Sequence, residues 1–237
     1  MLEILAIIPA RGGSKGIPHK NMADLCGHPL LYYTFEAAKS SKLITRSILS
    51  TDDEGFASYA ESQGIEAVMR PESLATDTTP MKDVIDYHLE TLKKSGFSPD
   101  IFILLQPTSP LRKASHIDEA LQAMIEDSQA DATVSVTPVP HSCLPMKIME
   151  MNDDGFLDFY IKGGEKYTTR QGLPTLYARN GAAIYAVYTE KYLKSGKIYG
   201  DHCKPYIMGP EVSIDIDTPF DLKMAELLMK SEFKNEL

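Results

Sequence analysis

The segment Pro9–Asn21 reads PARGGSKGIPHKN and holds the most chemically loaded pattern in the chain. Three glycines are interleaved with Arg11, Lys15 and Lys20, and no acidic residue occurs between Glu3 and Asp24. Glycines after a buried strand let the backbone turn tightly and bring N–H groups close to an anion, and the basic side chains add charge-assisted hydrogen bonds. The spacing matches neither G-x4-G-K-[ST] nor G-x-G-x-x-G. A polyphosphate cradle is the functional reading, and a solvated basic turn the plain one. Far downstream, Ser213–Thr218 (SIDIDT) supplies acids. Strand alternation would put Asp215 and Asp217 on one face, about 7 Å apart, with Ile214 and Ile216 in the core. Such a pair can hold a hard cation that also binds phosphate oxygens. The alternative is that Asp217 only supports a cap before a helix starting at Pro219.

Two further segments carry polar chemistry. Gln106–Arg112 (QPTSPLR) is a stiff, hydroxyl-bearing loop after the most apolar run of the chain. Arg112 there serves either a ligand or a structural pairing with an Asp or Glu of a neighbouring helix. In Leu74–Thr79, Asp77 is either a helix cap or a ligand contact. His19 and His141 read as loop residues, and no histidine stands where a general base is needed.

These loops need elements to position them. Residues 3–9 read as a buried strand ended by Pro9, 46–50 and 66–69 as further strands, and 101–105 as a strand covered on both faces. Helices are expected at 29–40 with Pro29 in the first position, 54–63, 80–95 and 116–127. The 80–95 helix presents Val84, Ile85, His88, Leu89 and Leu92 on one face. Strand 132–137 completes the βα alternation, which then weakens. The stretch 139–176 is too long for a simple connection and reads as an inserted lobe with its own short elements. A strand at 181–188, a short helix at 190–195, a strand within 206–209 and a helix from Pro219 follow. The pattern is an α/β sheet with ligand loops at strand carboxyl ends.

Composition narrows the partners. The chain has 237 residues, 24 Lys+Arg, 33 Asp+Glu and a net charge of −9. That balance argues against nucleic acid and anionic membranes, which select basic surfaces. Residues 4–23 and 160–179 each carry +3, however, so small anions have two places to bind. No run reaches the length of a membrane span, and the N-terminal apolar stretch carries Glu3 and lacks a basic leader, unlike a signal peptide. Cys26, Cys143 and Cys203 are widely spaced, which points to a reducing cytoplasm and away from disulfides or a zinc site.

ARGGSKGIPHKN, RPESLATDT at 70–78, LLQPTSPLR at 104–112, RNGA at 179–182 and SIDIDT at 213–218, in this order, resemble the CMP-sialic acid synthetase family of cytidylyltransferases, including those for legionaminic and pseudaminic acids. The resemblance implies a Rossmann-like nucleotidyltransferase with a mostly parallel sheet flanked by helices, formed by 1–138 and 177–237. The 139–176 lobe would build a dimer contact and part of the sugar site. It implies transfer of the cytidylyl group of CTP to a nonulosonic acid, with magnesium, in a homodimer. Arg11, Lys15 and Asp217 would act in catalysis. Ala10, Arg11, Gly12, Lys15, Lys20, Asn21, Arg70 and Thr79 would hold the nucleotide. Gln106, Ser109, Lys147, Arg170, Gln171, Tyr177 and Asn180 would hold the sugar, and Asp215 and Asp217 the metal. The chain reads Tyr177-Ala178-Arg179-Asn180 where some members have Arg-x-Asn-Gly, which leaves the role of Arg179 open. Asp217, a magnesium-bound hydroxide and the substrate itself stand as candidate bases. The rival functions are a nucleotidyltransferase for Kdo or a sugar 1-phosphate, and a non-catalytic nucleotide-binding protein.

Overall fold

The computed structural model describes residues 2–167 and 173–235, with side chains through Ser231. Its elements are, in order, β1 (Ile4–Pro9), β2 (Asp24–Leu25), β3 (His28–Pro29), α1 (Leu30–Ser40), β4 (Arg46–Thr51), α2 (Glu54–Ser62), β5 (Glu66–Met69), α3 (Met81–Lys94), β6 (Ile101–Leu104), α4 (Ala114–Glu126) and β7 (Ala132–Pro138). After these come β8 (Met149–Met151), β9 (Leu157–Phe159), β10 (Tyr177–Arg179), β11 (Tyr185–Tyr188), α5 (Thr189–Ser195), β12 (Cys203–Ile207) and α6 (Pro219–Asn235).

The apolar, β-branched run of β1 makes it a central strand, because both of its faces are buried. Ile4, Ala6 and Ile8 pack with Leu31, Phe35, Phe56 and Leu121 on one side of the sheet. Leu5 and Ile7 pack with Ile85, Leu89, Phe102 and Tyr192 on the other. This period of two places α1, α2 and α4 over one face and α3 and α5 over the other. The sheet runs β10-β7-β11-β6-β1-β4-β5, with β12 also paired to β7. β5, β4, β1 and β6 are parallel neighbours, as are β12 and β7. β11 is antiparallel to both β6 and β7, and β10 is antiparallel to β7. The first loop, Arg70 and Gln106 all follow carboxyl ends of the parallel strands, the ligand edge of such a sheet. The five residues expected on one face of α3 are all buried.

Four expectations are corrected. Pro29 precedes α1 as its N-cap instead of opening the first turn. The stretch 181–188 is not one strand: Gly181 and Ala182 take φ of +70° and +54°, so the chain turns between β10 and β11. A Cβ on Gly181 would lie 2.3 Å from Asp215 Cγ, so the turn makes room for that carboxylate. Residues 213–217 form no strand. They are held in place by Ile216 N–H donating to the Thr108 carbonyl at 2.8 Å and by burial of Ile216 beside Ile17, Leu25, Leu111 and Met229. Lastly, Asp77 is no helix cap, since Pro80 occupies the N-cap of α3. The inserted stretch does hold short elements, including the antiparallel β8–β9 pair.

Candidate active site

Two cavities open at the carboxyl edge of the sheet and share Met81 and Gln106 in their walls. The smaller, about 310 Å³, is lined by Arg11, Lys15, Lys20, Asn21, Arg70 and Asp217 among others. The larger, about 570 Å³, is lined by Gln106, Arg179, Gly181, Tyr185, Tyr199 and Asp215 among others. One compartment is therefore strongly basic and the other polar and aromatic, and the two members of the acidic pair fall on different sides of the junction.

The first loop is braced from within. Ser14 Oγ donates to the Ile17 carbonyl at 2.7 Å and accepts from Lys20 N–H at 3.0 Å, while buried Asn21 donates from Nδ2 to the Arg11 carbonyl at 3.2 Å. Lys20 Nζ reaches the Ile216 carbonyl at 2.7 Å and Asp217 Oδ1 at 2.9 Å, tying the loop to the acidic segment. Gly16 sits at this seam: a Cβ there would lie 2.1 Å from the Asp217 carbonyl oxygen. Arg11 Nη2 and Lys15 Nζ both converge on Asp77, at 2.5 and 2.6 Å. Lys15 and Arg11 hold the Asp77 carboxyl below its ordinary range. The structure thus gives Asp77 a third role: it is the anion that the two catalytic candidates already hold.

Asp215 has a different environment. Burial raises its carboxyl above the ordinary value, and the charge of Asp217 pushes the same way. The Thr108 hydroxyl beside it pulls the other way, though buried Oδ1 has no hydrogen bond of good geometry. Among the described residues no group of three or more His, Cys, Asp or Glu forms a metal cage. Magnesium does not require one, because it keeps several waters and takes one or two carboxylates together with substrate phosphates. Two hard oxygen donors, one with an unmet acceptor, beside a basic cavity fit that mode.

The remaining candidates divide. Gln106 lies in both cavity walls, whereas Thr79 lines neither and sits in a hydroxyl cluster with Thr76 at 2.7 Å. Ser109 and Asn180 line neither cavity, and both are buried. Asn180 accepts from Ser135 Oγ at 2.6 Å and donates to Ser213 Oγ at 3.0 Å, so its amide fixes the start of the acidic segment. Two first-loop amides are also committed, Ala10 N–H to the Ser50 carbonyl at 2.9 Å and Gly12 N–H to Asp52 Oδ1 at 3.1 Å. Lys147 and exposed Tyr177 line neither cavity, and Arg170 and Gln171 lie outside the described residues.

Arg112 is structural, though not through a carboxylate. Fully buried, it donates to the carbonyls of Gln106 at 3.0 Å and Ala183 at 2.9 Å and to Thr34 Oγ1, and burial pulls it down to about 9. It clamps the loop that presents Gln106 against α1 and the Gly181 turn. Arg179 lines the larger cavity with its guanidinium 5.5 Å from the centroid of the Tyr199 ring and hydrogen-bonded to that phenol. Tyr185, pushed up to about 12 by burial, completes the aromatic wall. Sequence reasoning missed Tyr185, Tyr199 and Met81, which carry no charge and read as core or surface residues of their own elements.

A family model described as Cytidylyltransferase matches residues 5–235. The chain is 36% identical over 236 residues to an N-acylneuraminate cytidylyltransferase of Escherichia coli O18:K1:H7, covering 99% of this chain and 54% of that protein. It is 33% identical over 238 residues to a CMP-N,N'-diacetyllegionaminic acid synthase of Legionella pneumophila, covering 97% of each. The chain spans about half the length of the first of these relatives. In fold it is similar to a solved CMP:2-keto-3-deoxy-manno-octonic acid synthetase complexed with CTP, with TM-score 0.71 and 19% identity over 97% of this chain and 99% of that one.

Proposed function

The chain belongs to the cytidylyltransferase family, and from that premise we propose that it couples CTP to a nonulosonic acid, giving the CMP-sugar and pyrophosphate. The observation that carries this is the pair of joined cavities: a basic one suited to a triphosphate and a larger polar-aromatic one suited to a sugar acid, with Asp217 in the first and Asp215 in the second.

In the reaction the anomeric hydroxyl oxygen forms a bond to the α-phosphorus, the bond from that phosphorus to the bridging oxygen breaks, and pyrophosphate leaves. Charge neutralisation and in-line placement supply most of the acceleration in such transfers. Arg11 and Lys15 neutralise the phosphates once Asp77 shares or releases them, and Gln106 stands between donor and acceptor. Asp217 is the carboxylate in the wall of the nucleotide cavity and is assigned as acceptor of the hydroxyl proton. Asp215 and Asp217 would hold magnesium, which when bound polarises the phosphoryl oxygens.

The lobe carries the partner proposal. Met151 and Leu157 are cross-strand neighbours in the β8–β9 pair and are 72% and 66% exposed, with Phe156 at 71% beside them. Contiguous apolar surface of this kind marks an association site, and a second copy of the chain is the proposed occupant. No helix of the described residues is long and apolar enough to cross a membrane. A cytoplasmic location is proposed with the reducing environment that three free cysteines fit.

The test is pyrophosphate release from a panel of nucleoside triphosphates against eight- and nine-carbon 2-keto sugar acids with magnesium. Turnover is expected with CTP and a nine-carbon acid. Turnover with the eight-carbon acid alone would reassign the acceptor, and none with any nonulosonic acid would end the proposal.

A further inference from the structure

Behind the basic cavity lies a buried polar contact that the transfer step does not use. His88 has no exposed surface on the inner face of α3, and its Nε2 is 2.6 Å from Ser50 Oγ near the end of β4. Ser50 is equally buried, and its Oγ accepts from Arg70 Nη1 at 3.4 Å. Arg70 follows β5, is 7% exposed and lines the basic cavity. Its Nε has no partner, and it makes no ion pair among the described residues. Burial works against the guanidinium's charge, and Asp52, whose charge favours it, makes no ion pair with it, so a ligand that supplies acceptors would stabilise it. Until one arrives, the Ser50 hydroxyl holds its Nη1.

His88 Nδ1 has no partner. With the ring proton on Nε2 the imidazole donates to Ser50 Oγ, and with it on Nδ1 the Ser50 hydroxyl donates to Nε2. In either tautomer the contact fixes the hydroxyl and leaves Ser50 Oγ a lone pair for Arg70. Burial, with the Arg70 charge acting in the same direction, holds His88 down to about 4, so the ring is neutral at physiological pH and does not repel the guanidinium.

We propose that His88 and Ser50 are positioning residues for nucleotide binding: the imidazole orients the Ser50 hydroxyl, and that hydroxyl fixes the Arg70 guanidinium facing the acceptor atoms of bound CTP. The inference rests on the CTP reading above.

Equilibrium binding of CTP to the full chain, measured by calorimetry alongside steady-state turnover, tests it. His88→Met removes the polar partner of Ser50 at similar volume, Ser50→Ala removes the hydroxyl, and His88→Gln returns an amide that can donate to or accept from it. Loss of one hydrogen bond to a charged group predicts that Kd for CTP rises about tenfold in His88→Met and Ser50→Ala, with kcat at saturating CTP within about twofold and His88→Gln within about threefold of wild type. In an Arg70→Met background, His88→Met should add less than about twofold, because residues acting through one group are non-additive. Equal weakening in both backgrounds, a fall in kcat with unchanged Kd, or no rescue by His88→Gln would overturn the proposal. If His88→Met melts below assay temperature, Ser50→Ala in the two backgrounds decides. Wild-type protein that binds no CTP removes the CTP reading and this inference with it; wild-type protein that binds CTP while the variants act additively removes the inference alone.

Discussion

An alanine at Gly16 would bring its Cβ to 2.1 Å from the Asp217 carbonyl oxygen, where ordinary contact begins at 3.4 Å. The first loop and the acidic segment must then part by about 1.3 Å. Neither side can give locally. The loop is pinned by Ile17 and the segment by Ile216 in the same apolar cluster, and Lys20 bridges them. The displacement falls between the groups proposed to hold phosphate and those proposed to hold metal. A misplacement of about 1 Å in a transfer site lowers rates on the order of 100-fold, so Gly16→Ala should lose that much in kcat/KM by pyrophosphate release. Gly13→Ala is the internal control: same loop, same substitution, nothing within 4 Å of its Cβ and no positive φ. It should stay within about threefold of wild type, on the size usual for an uncrowded surface change. Both variants should keep a cooperative thermal transition. Equal loss in both would show that loop flexibility matters and the seam does not. Full activity in Gly16→Ala would refute the seam outright.

Asp77→Asn releases Arg11 and Lys15 from an internal anion and should lower KM for CTP severalfold; a raised KM would instead make Asp77 a direct nucleotide contact. Arg112→Lys keeps the charge but cannot reach three separated acceptors, and leaving buried groups unpaired should lower stability by about 2–4 kcal/mol in chemical denaturation, with an unchanged midpoint counting against the clamp. Lys191 and the amides of Asp201 and His202 hold the Asp131 carboxyl below its ordinary value of 3.8. Its contribution is therefore present above that pH and lost as pH falls through the lowered value, so the Tm deficit of Asp131→Asn should be full at neutral pH and vanish in acid; a deficit independent of pH would show packing alone. Leu157→Lys, at the exposed lobe, should shift the protein from dimer to monomer by light scattering, and a wild-type monomer would refute that contact.

The sequence by itself determined the parts whose causes are local. A short β-branched run ending in Pro9 is a strand, a 3.6-residue period puts Val84, Ile85, His88, Leu89 and Leu92 on one face, and interleaved Gly, Arg and Lys after a strand line a basic cavity. These depend on residues a few positions apart, so they could be read along the chain. Only the tertiary structure decided what depends on distant partners. Arg112 became a clamp because its acceptor at Ala183 lies 71 residues away. Lys20 met Asp217 across 197 residues. Asn180 and Ser109 turned inward because Ser135, Ser213 and the docked acidic segment surround them. Periodicity read 213–217 as a strand, but a strand needs a neighbouring edge to pair with, and this segment instead meets the loop after β6, at the Thr108 carbonyl. The division of the site into a basic and an aromatic cavity, with one acid in each, has no signature in the chain, since it arises where seven separate segments between Pro9 and Asp217 converge.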